Sequence, residues 1–164
     1  MNTQHLILQR RIATPLGALT AARSAAGLAG LWFDGQKHHP GALDLPVDDG
    51  SDAVLAPTEA AVHAYFAGRP FKLPPLDPLG TAFQREVWQA LLKIAPGASD
   101  SYGRLAQRLG RAQAARALGA AVGRNPISIL IPCHRVVGAD GSLTGYAGGL
   151  ERKRALLQLE SGAA

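Results

Sequence analysis

The chain of 164 residues contains one cysteine, Cys133. A single thiol excludes an internal disulfide and argues against a cysteine-rich zinc site, so Cys133 is either core filler or a reactive thiol. The histidines do not rebuild a metal site: His38 and His39 are adjacent, and His5 and His63 stand alone. Long apolar runs are also missing. Nowhere do about eighteen apolar residues run together, and the opening MNTQHLILQRRIATP has only a short apolar stretch with no small-residue cleavage site. The expectation is a cytoplasmic protein, neither secreted nor membrane-spanning, with no metal and no cofactor. Lysine is scarce too: 13 of the 17 cations are arginine, the residue suited to phosphate contacts, although a GC-rich coding sequence also favours it.

What is present suffices for a packed core, with 47% hydrophobic and 18% charged residues in one or two domains. The charge is uneven. Up to Ala82 there are 6 basic and 7 acidic residues, net −1; beyond it there are 11 and 5, net +6, as expected of a half that touches a polyanion. Short runs separated by Thr14-Pro15-Leu16-Gly17 and Ser24-Ala25-Ala26-Gly27 predict a small antiparallel meander from Leu6 to about Phe33. The stretch 34–57 has no periodicity and predicts a surface loop before a helix at 59–67. Pro70, Pro74, Pro75 and Pro78 then mark a connector, which divides the chain into domains 1–76 and 77–164.

Past the prolines the pattern is helical. Thr81 and Gln84 make a capping-box pair, and Phe83, Val87, Trp88, Leu91 and Leu92 share one helix face. Ser101 caps a second predicted helix, 102–109, and a third at 112–122 ends at Gly123-Arg124-Asn125-Pro126. Two short helices around a glycine have the outline of a helix-turn-helix, though most such pairs are only packing units. On the third helix Arg116 stands among Ala114, Ala115, Ala117, Ala120 and Ala121, side chains small enough for close approach to DNA or to another helix. The run 127–131 predicts a buried strand or extended segment, and a last helix spans 150–160.

A lone cysteine is usually buried and inert. Here His134 and Arg135 follow it directly and supply what lowers a thiol pKa, a proton acceptor and a cation. In extended chain a neighbouring side chain points away, so His134 needs a turned backbone or a bridging water to take the thiol proton. Glu160 can orient the imidazole only if the last helix folds back.

GTAFQREVWQALLKI, SYGRLAQRLG, AARALGAAVGRNP, IPCHRVV and TGYAGGLERKRALLQLE follow one another as in the O6-alkylguanine-DNA alkyltransferases, which the chain resembles over nearly all of 80–160. The amino-terminal TPLGALTAARSAAGLAGLWFDGQKH is similar more loosely. The resemblance implies an α+β chain, with a small ribonuclease-H-like, β-rich amino-terminal domain and a helical carboxyl-terminal domain whose helix-turn-helix binds the minor groove of double-stranded DNA. It implies direct-reversal repair, in which Cys133 irreversibly takes the alkyl group of a flipped O6-alkylguanine, once per molecule, with O4-alkylthymine as a further candidate substrate. His134, through a water, and Glu160 behind it match the relay that makes the thiolate, and Asn125 matches the residue that holds the network. Tyr102 matches the tyrosine that protonates the departing guanine and crowds the 3′ phosphate. Arg116 matches the finger that fills the gap in the duplex, with Ala115, Ala117, Ala121 and Arg135 as further expected DNA contacts. Tyr146, Ala147, Gly148 and Val136 match the wall of the base pocket. The expected state is a monomer, with clustering on DNA left open.

Three departures from the family pattern stand out. The segment from Ile94 to Asp100 carries a displaced proline and puts an acid near the expected DNA face, which predicts weaker binding. Ala147 replaces a serine of some members, and the metal-binding cysteines of some members are missing. Three rival readings are a binding-only relative, a helix-turn-helix regulator with a redox cysteine, and a thiol hydrolase. The presence of Cys133 argues against the first, one minor-groove arginine among alanines against the second, and the lack of an oxyanion motif against the third.

Overall fold

A computed structural model describes residues 2–162. The chain forms a mixed α/β fold of two compact units, 1–79 with 126–130 and 80–125 with 131–164. The division is therefore not a single cut in the proline stretch, because a short segment before Cys133 belongs with the amino-terminal unit. No helix among the described residues is long and apolar enough to cross a membrane.

In the first unit, β1 (Leu8–Ile12), β2 (Leu19–Arg23) and β3 (Leu28–Phe33) form the antiparallel meander, with β2 central and a bulge between Ala22 and Arg23. Gly30 lies where an added Cβ would come within 1.8 Å of the Trp32 ring, so the turn of that ring over β3 requires glycine. The helix α1 (Leu55–Phe66) begins earlier than its periodicity predicts. Asp52 explains the shift: its Oδ1 accepts from the amides of Val54 and Leu55 at 2.9 and 2.8 Å, a side-chain cap placed ahead of the first turn. The loop before it is anchored, since Arg10 pairs with Asp48 and Glu59, and Arg23 pairs with Asp52 at 2.8 Å.

The segment 127–131 is not a strand. Ile127 makes one parallel bridge to Leu31, Ser128 Oγ donates to Gln36 Oε1 at 3.1 Å, and Ile129 takes φ 71°, a region a β-branched residue rarely enters. The kink lies four residues before Cys133 and breaks the alternation that the apolar run suggests.

The second unit contains α2 (Ala82–Leu91), a parallel pair of β4 (Asp100–Ser101) and β5 (Val136–Val137), α3 (Tyr102–Arg108), α4 (Ala115–Gly123) and α5 (Leu150–Glu160). The Thr81–Gln84 capping box is formed, and Ser101 accepts from the Arg104 amide at 3.1 Å to cap α3. A 3₁₀ turn at Ala112–Ala114 precedes α4, so the third helix starts three residues later than predicted. Val87, Trp88 and Leu91 of α2 are buried in the core with Leu105, Leu118 and Leu156, and Trp88 Nε1 donates to the Ala121 carbonyl at 2.9 Å. Burial of a side chain the size of Trp88 contributes about 3–5 kcal/mol, and the bond fixes α2 against α4.

Candidate active site

After the kinked segment and Pro132, Cys133, His134 and Arg135 form a 3₁₀ turn closed by Arg135 N donating to the Pro132 carbonyl at 3.1 Å, and Cys133 N donates back to the Ile131 carbonyl at 2.8 Å. This is the turned backbone that an adjacent thiol and imidazole need. All three side chains are buried. Burial pushes the Cys133 thiol pKa up, and the Asn125 side-chain hydrogen bond and the charge of Lys153 pull it down. Asn125 is itself fixed where α4 ends, with Nδ2 donating to the Ile131 carbonyl at 2.8 Å.

Behind the turn lies α5. His134 Nε2 is 2.6 Å from Glu160 Oε1, so the last helix does fold back. The carboxylate also accepts Arg135 Nε on Oε2 and Nη2 on Oε1, both at 2.9 Å, while Arg135 Nη1 donates to the Ile94 carbonyl at 2.5 Å. Burial lowers the His134 pKa and Glu160 opposes that; the net direction is downward, which disfavours the imidazolium. With Glu160 ionised and only accepting, the ring proton sits on Nε2, and Nδ1 offers a lone pair.

Residues expected to wall a base pocket lie beside this turn. The Tyr146 ring meets the His134 ring edge-on at 6.4 Å between centroids, and Gly148 and Val136 are buried. Tyr102 opens α3, its ring against the backbone of Gly119 and its hydroxyl 3.4 Å from Thr144 Oγ1. On α4, Ala115, Arg116 and Ala117 are exposed.

Two expected DNA contacts are placed otherwise. Ala121 is buried and holds Trp88, because it lies on the α4 face that packs on α2. Arg135 is turned inward onto Glu160, because the 3₁₀ turn carries it away from the surface. The acid at Asp100 is also not presented as expected: it is buried, accepts from Ser101 N at 2.9 Å, and is paired with Arg104 at 3.6 Å and with Arg108. Its charge is paired with two arginines of α3. A cleft of about 650 Å³ beside it, lined by Lys93, Ile94, Arg104 and Arg108 among others, contains neither Cys133 nor Tyr146.

Lys153 was not legible as a site residue. Fully buried on α5, it donates through Nζ to the carbonyls of Val136, Thr144 and Gly145 at 2.5, 2.7 and 3.3 Å, joining the strand after the thiol to the loop before Tyr146. Burial lowers its pKa to about 8, against the pull of the Cys133 charge. The spacing of Lys153, Leu156 and Glu160 puts them on one helix face, a signal masked by the charged run Glu151-Arg152-Lys153-Arg154. No group of three or more metal-binding side chains occurs among the described residues.

A single buried thiol acted on by an asparagine and a buried lysine, and next in sequence to a histidine–carboxylate pair, has the make-up of a reactive-thiol centre on a helical unit of net positive charge. The DNA-binding domain model of 6-O-methylguanine DNA methyltransferase matches residues 82–162. The methylated-DNA–protein-cysteine methyltransferase of Mycobacterium bovis is 45% identical over 156 residues, 94% of this chain and 93% of that protein. That of Haemophilus influenzae is 43% identical over 149 residues, 90% of this chain and 82% of that protein. The crystal structure of Mycobacterium tuberculosis OGT in complex with DNA is similar with a TM-score of 0.86 at 44% identity, covering 96% of this chain and 95% of that one. The chain belongs to the methylated-DNA–protein-cysteine methyltransferase family.

Proposed function

We propose that this protein repairs DNA by direct reversal, moving the alkyl group of O6-alkylguanine to Cys133. The observation that carries the reading is the thiol turn itself, with Asn125 and Lys153 favouring the thiolate and His134 backed by Glu160. The thiol proton passes to His134 through a water. The thiolate then attacks the alkyl carbon in line, an S–C bond forms as the C–O6 bond breaks, and the electron pair leaves with guanine. Tyr102 supplies the proton that neutralises the departing base. The thioether has no route back to thiol, so each molecule acts once.

A base stacked in the duplex cannot present its alkyl carbon to a buried sulfur, so the nucleotide must be flipped. The α3–α4 pair acts as a helix-turn-helix set in the minor groove, with Arg116 filling the vacated place and Ala115 and Ala117 allowing the backbone close. Tyr146, Ala147, Gly148 and Val136 wall the base pocket. The first unit is read as ribonuclease-H-like, and the protein as a cytoplasmic monomer that needs no cofactor, with O4-alkylthymine as a second substrate.

Intact mass after incubation with a duplex carrying one O6-methylguanine tests the reading. The expected result is a gain of one methyl per protein that stops there and is absent in Cys133→Ala, which still binds DNA. Methyl uptake by that variant, or repeated turnover by the unaltered protein, overturns it.

A further inference from the structure

Arg135 lies one residue beyond the histidine of the relay and is the cation most fully committed to it. Its three nitrogens each donate: Nε and Nη2 to the two oxygens of Glu160, and Nη1 to the Ile94 carbonyl. The guanidinium is thereby anchored to the loop that follows α2 and grips a carboxylate on α5. Glu160 Oε1 accepts from Arg135 and His134 together, at 2.9 and 2.6 Å. A planar fork on a carboxylate fixes both its position and its plane, which a lysine's single ammonium cannot do.

We propose that Arg135 is a positioning residue for alkyl transfer: it holds Glu160 in the one orientation from which that carboxylate can keep the His134 ring proton on Nε2. The proposal rests on the alkyl-transfer reading above and assigns Arg135 a role inside the protein in place of a DNA contact. The cation has a second consequence. A bare carboxylate beside a buried imidazole draws a proton onto the ring, and an imidazolium cannot accept the thiol proton. Burial is the main cause that disfavours a charged ring, and Arg135 adds to it by offsetting part of the Glu160 charge. The charged groups acting on His134 are Glu160 and Lys153 from α5 and Arg135 from its own turn; α2, which also packs on the turn, adds none. Two further titratable groups adjoin His134: Tyr146, whose ring meets the imidazole edge-on, and Cys133, next in sequence and acted on by the Lys153 charge.

The test compares Arg135→Gln and Arg135→Lys with the unaltered protein, using O6-benzylguanine as free base and an O6-methylguanine duplex, with rates followed from about pH 5 to 9. Arg135→Gln is expected to slow transfer about tenfold or more on both substrates and to move the rising limb of the profile to higher pH, because His134 then protonates more readily. Arg135→Lys should also be slow, since the fork is lost, yet keep the limb near its original pH, since the charge remains. Duplex affinity and its salt dependence should not change in either. Thermal melting checks that both variants are folded; if Arg135→Gln is not, the Arg135→Lys rate decides. Wild-type rates in the variants, an equal loss with no difference in pH limb, or a loss confined to duplex with a weaker salt slope would each overturn the proposal. Absence of transfer by the unaltered protein would instead count against the functional reading on which it rests.

Discussion

Arg116 on α4 and the pair Arg135 and Lys153 behind the thiol are cations of one unit in opposite circumstances. Arg116 stands exposed between two alanines, while the other two are buried and each donates three hydrogen bonds to protein oxygens. A buried cation has to be satisfied where it lies, and in being satisfied it fixes the groups around it. An exposed one on a surface of minimal side chains keeps its donors for something outside. The basic character of the carboxyl-terminal half is thus of two kinds, one buried and bonded around the thiol turn and one exposed to solvent. Net charge alone does not separate them.

The largest expected effect comes from removing the outward cation. Arg116→Ala should slow transfer from a duplex about a hundredfold, since a flipped base whose gap is unfilled must bear a few kcal/mol of unstacking alone. Reaction with free O6-benzylguanine should be almost untouched. Parallel single-turnover rates on the two substrates check this, and equal losses would put Arg116 in the pocket's chemistry and erase the contrast with Arg135.

The inward cation gives the next effect. Lys153→Met keeps the length of the side chain and leaves the carbonyls of Val136, Thr144 and Gly145 without their donor. Stability should fall by about 2 kcal/mol in denaturant unfolding, the net of lost hydrogen bonds and relieved burial of charge. Transfer to free O6-benzylguanine should also slow about tenfold, because the Cys133 thiolate loses the cation whose charge favours it. Normal stability and rate in Lys153→Met would show that the loop and strand hold themselves and that the lysine is incidental.

The two kinds of cation were unequally legible in the sequence. Arg116 is conspicuous because its neighbours are alanines, and the thiol turn because Cys133 has no rival. The meander, the Thr81–Gln84 box and the last helix were legible because each rests on local chemistry: turn residues, a reciprocal cap and an apolar period. Lys153 was hidden because its burial depends on three carbonyls from residues 136, 144 and 145, which only the folded loop brings together. Arg135 was assigned outward for the same reason, its partners Ile94 and Glu160 being 41 and 25 residues away. Asp52, two residues before the residue at which α1 is nominally capped, and the kink at Ile129 escaped because each departs from the periodic pattern on which a prediction rests.

The smallest effect distinguishes a relay histidine held neutral from one paired as an ion. Burial holds the folded pKa of His134 below its ordinary value, so in acid the unfolded chain binds a proton that the folded one refuses. Stability from this source is fully present above the unfolded pKa, about 6.5, and is lost as pH falls below it, at no more than about 1.4 kcal/mol per pH unit. Denaturant unfolding between about pH 7 and 5.5 should show the decline, and His134→Gln should flatten it by about 1 kcal/mol over that range. The sign is decisive. Were His134 an imidazolium paired with Glu160, its folded pKa would be raised, and the same acidification would add stability in place of removing it. A positive change on going to pH 5.5 would therefore mean that Glu160 outweighs burial and Arg135 together, and that the buried cations do not set the protonation of the relay.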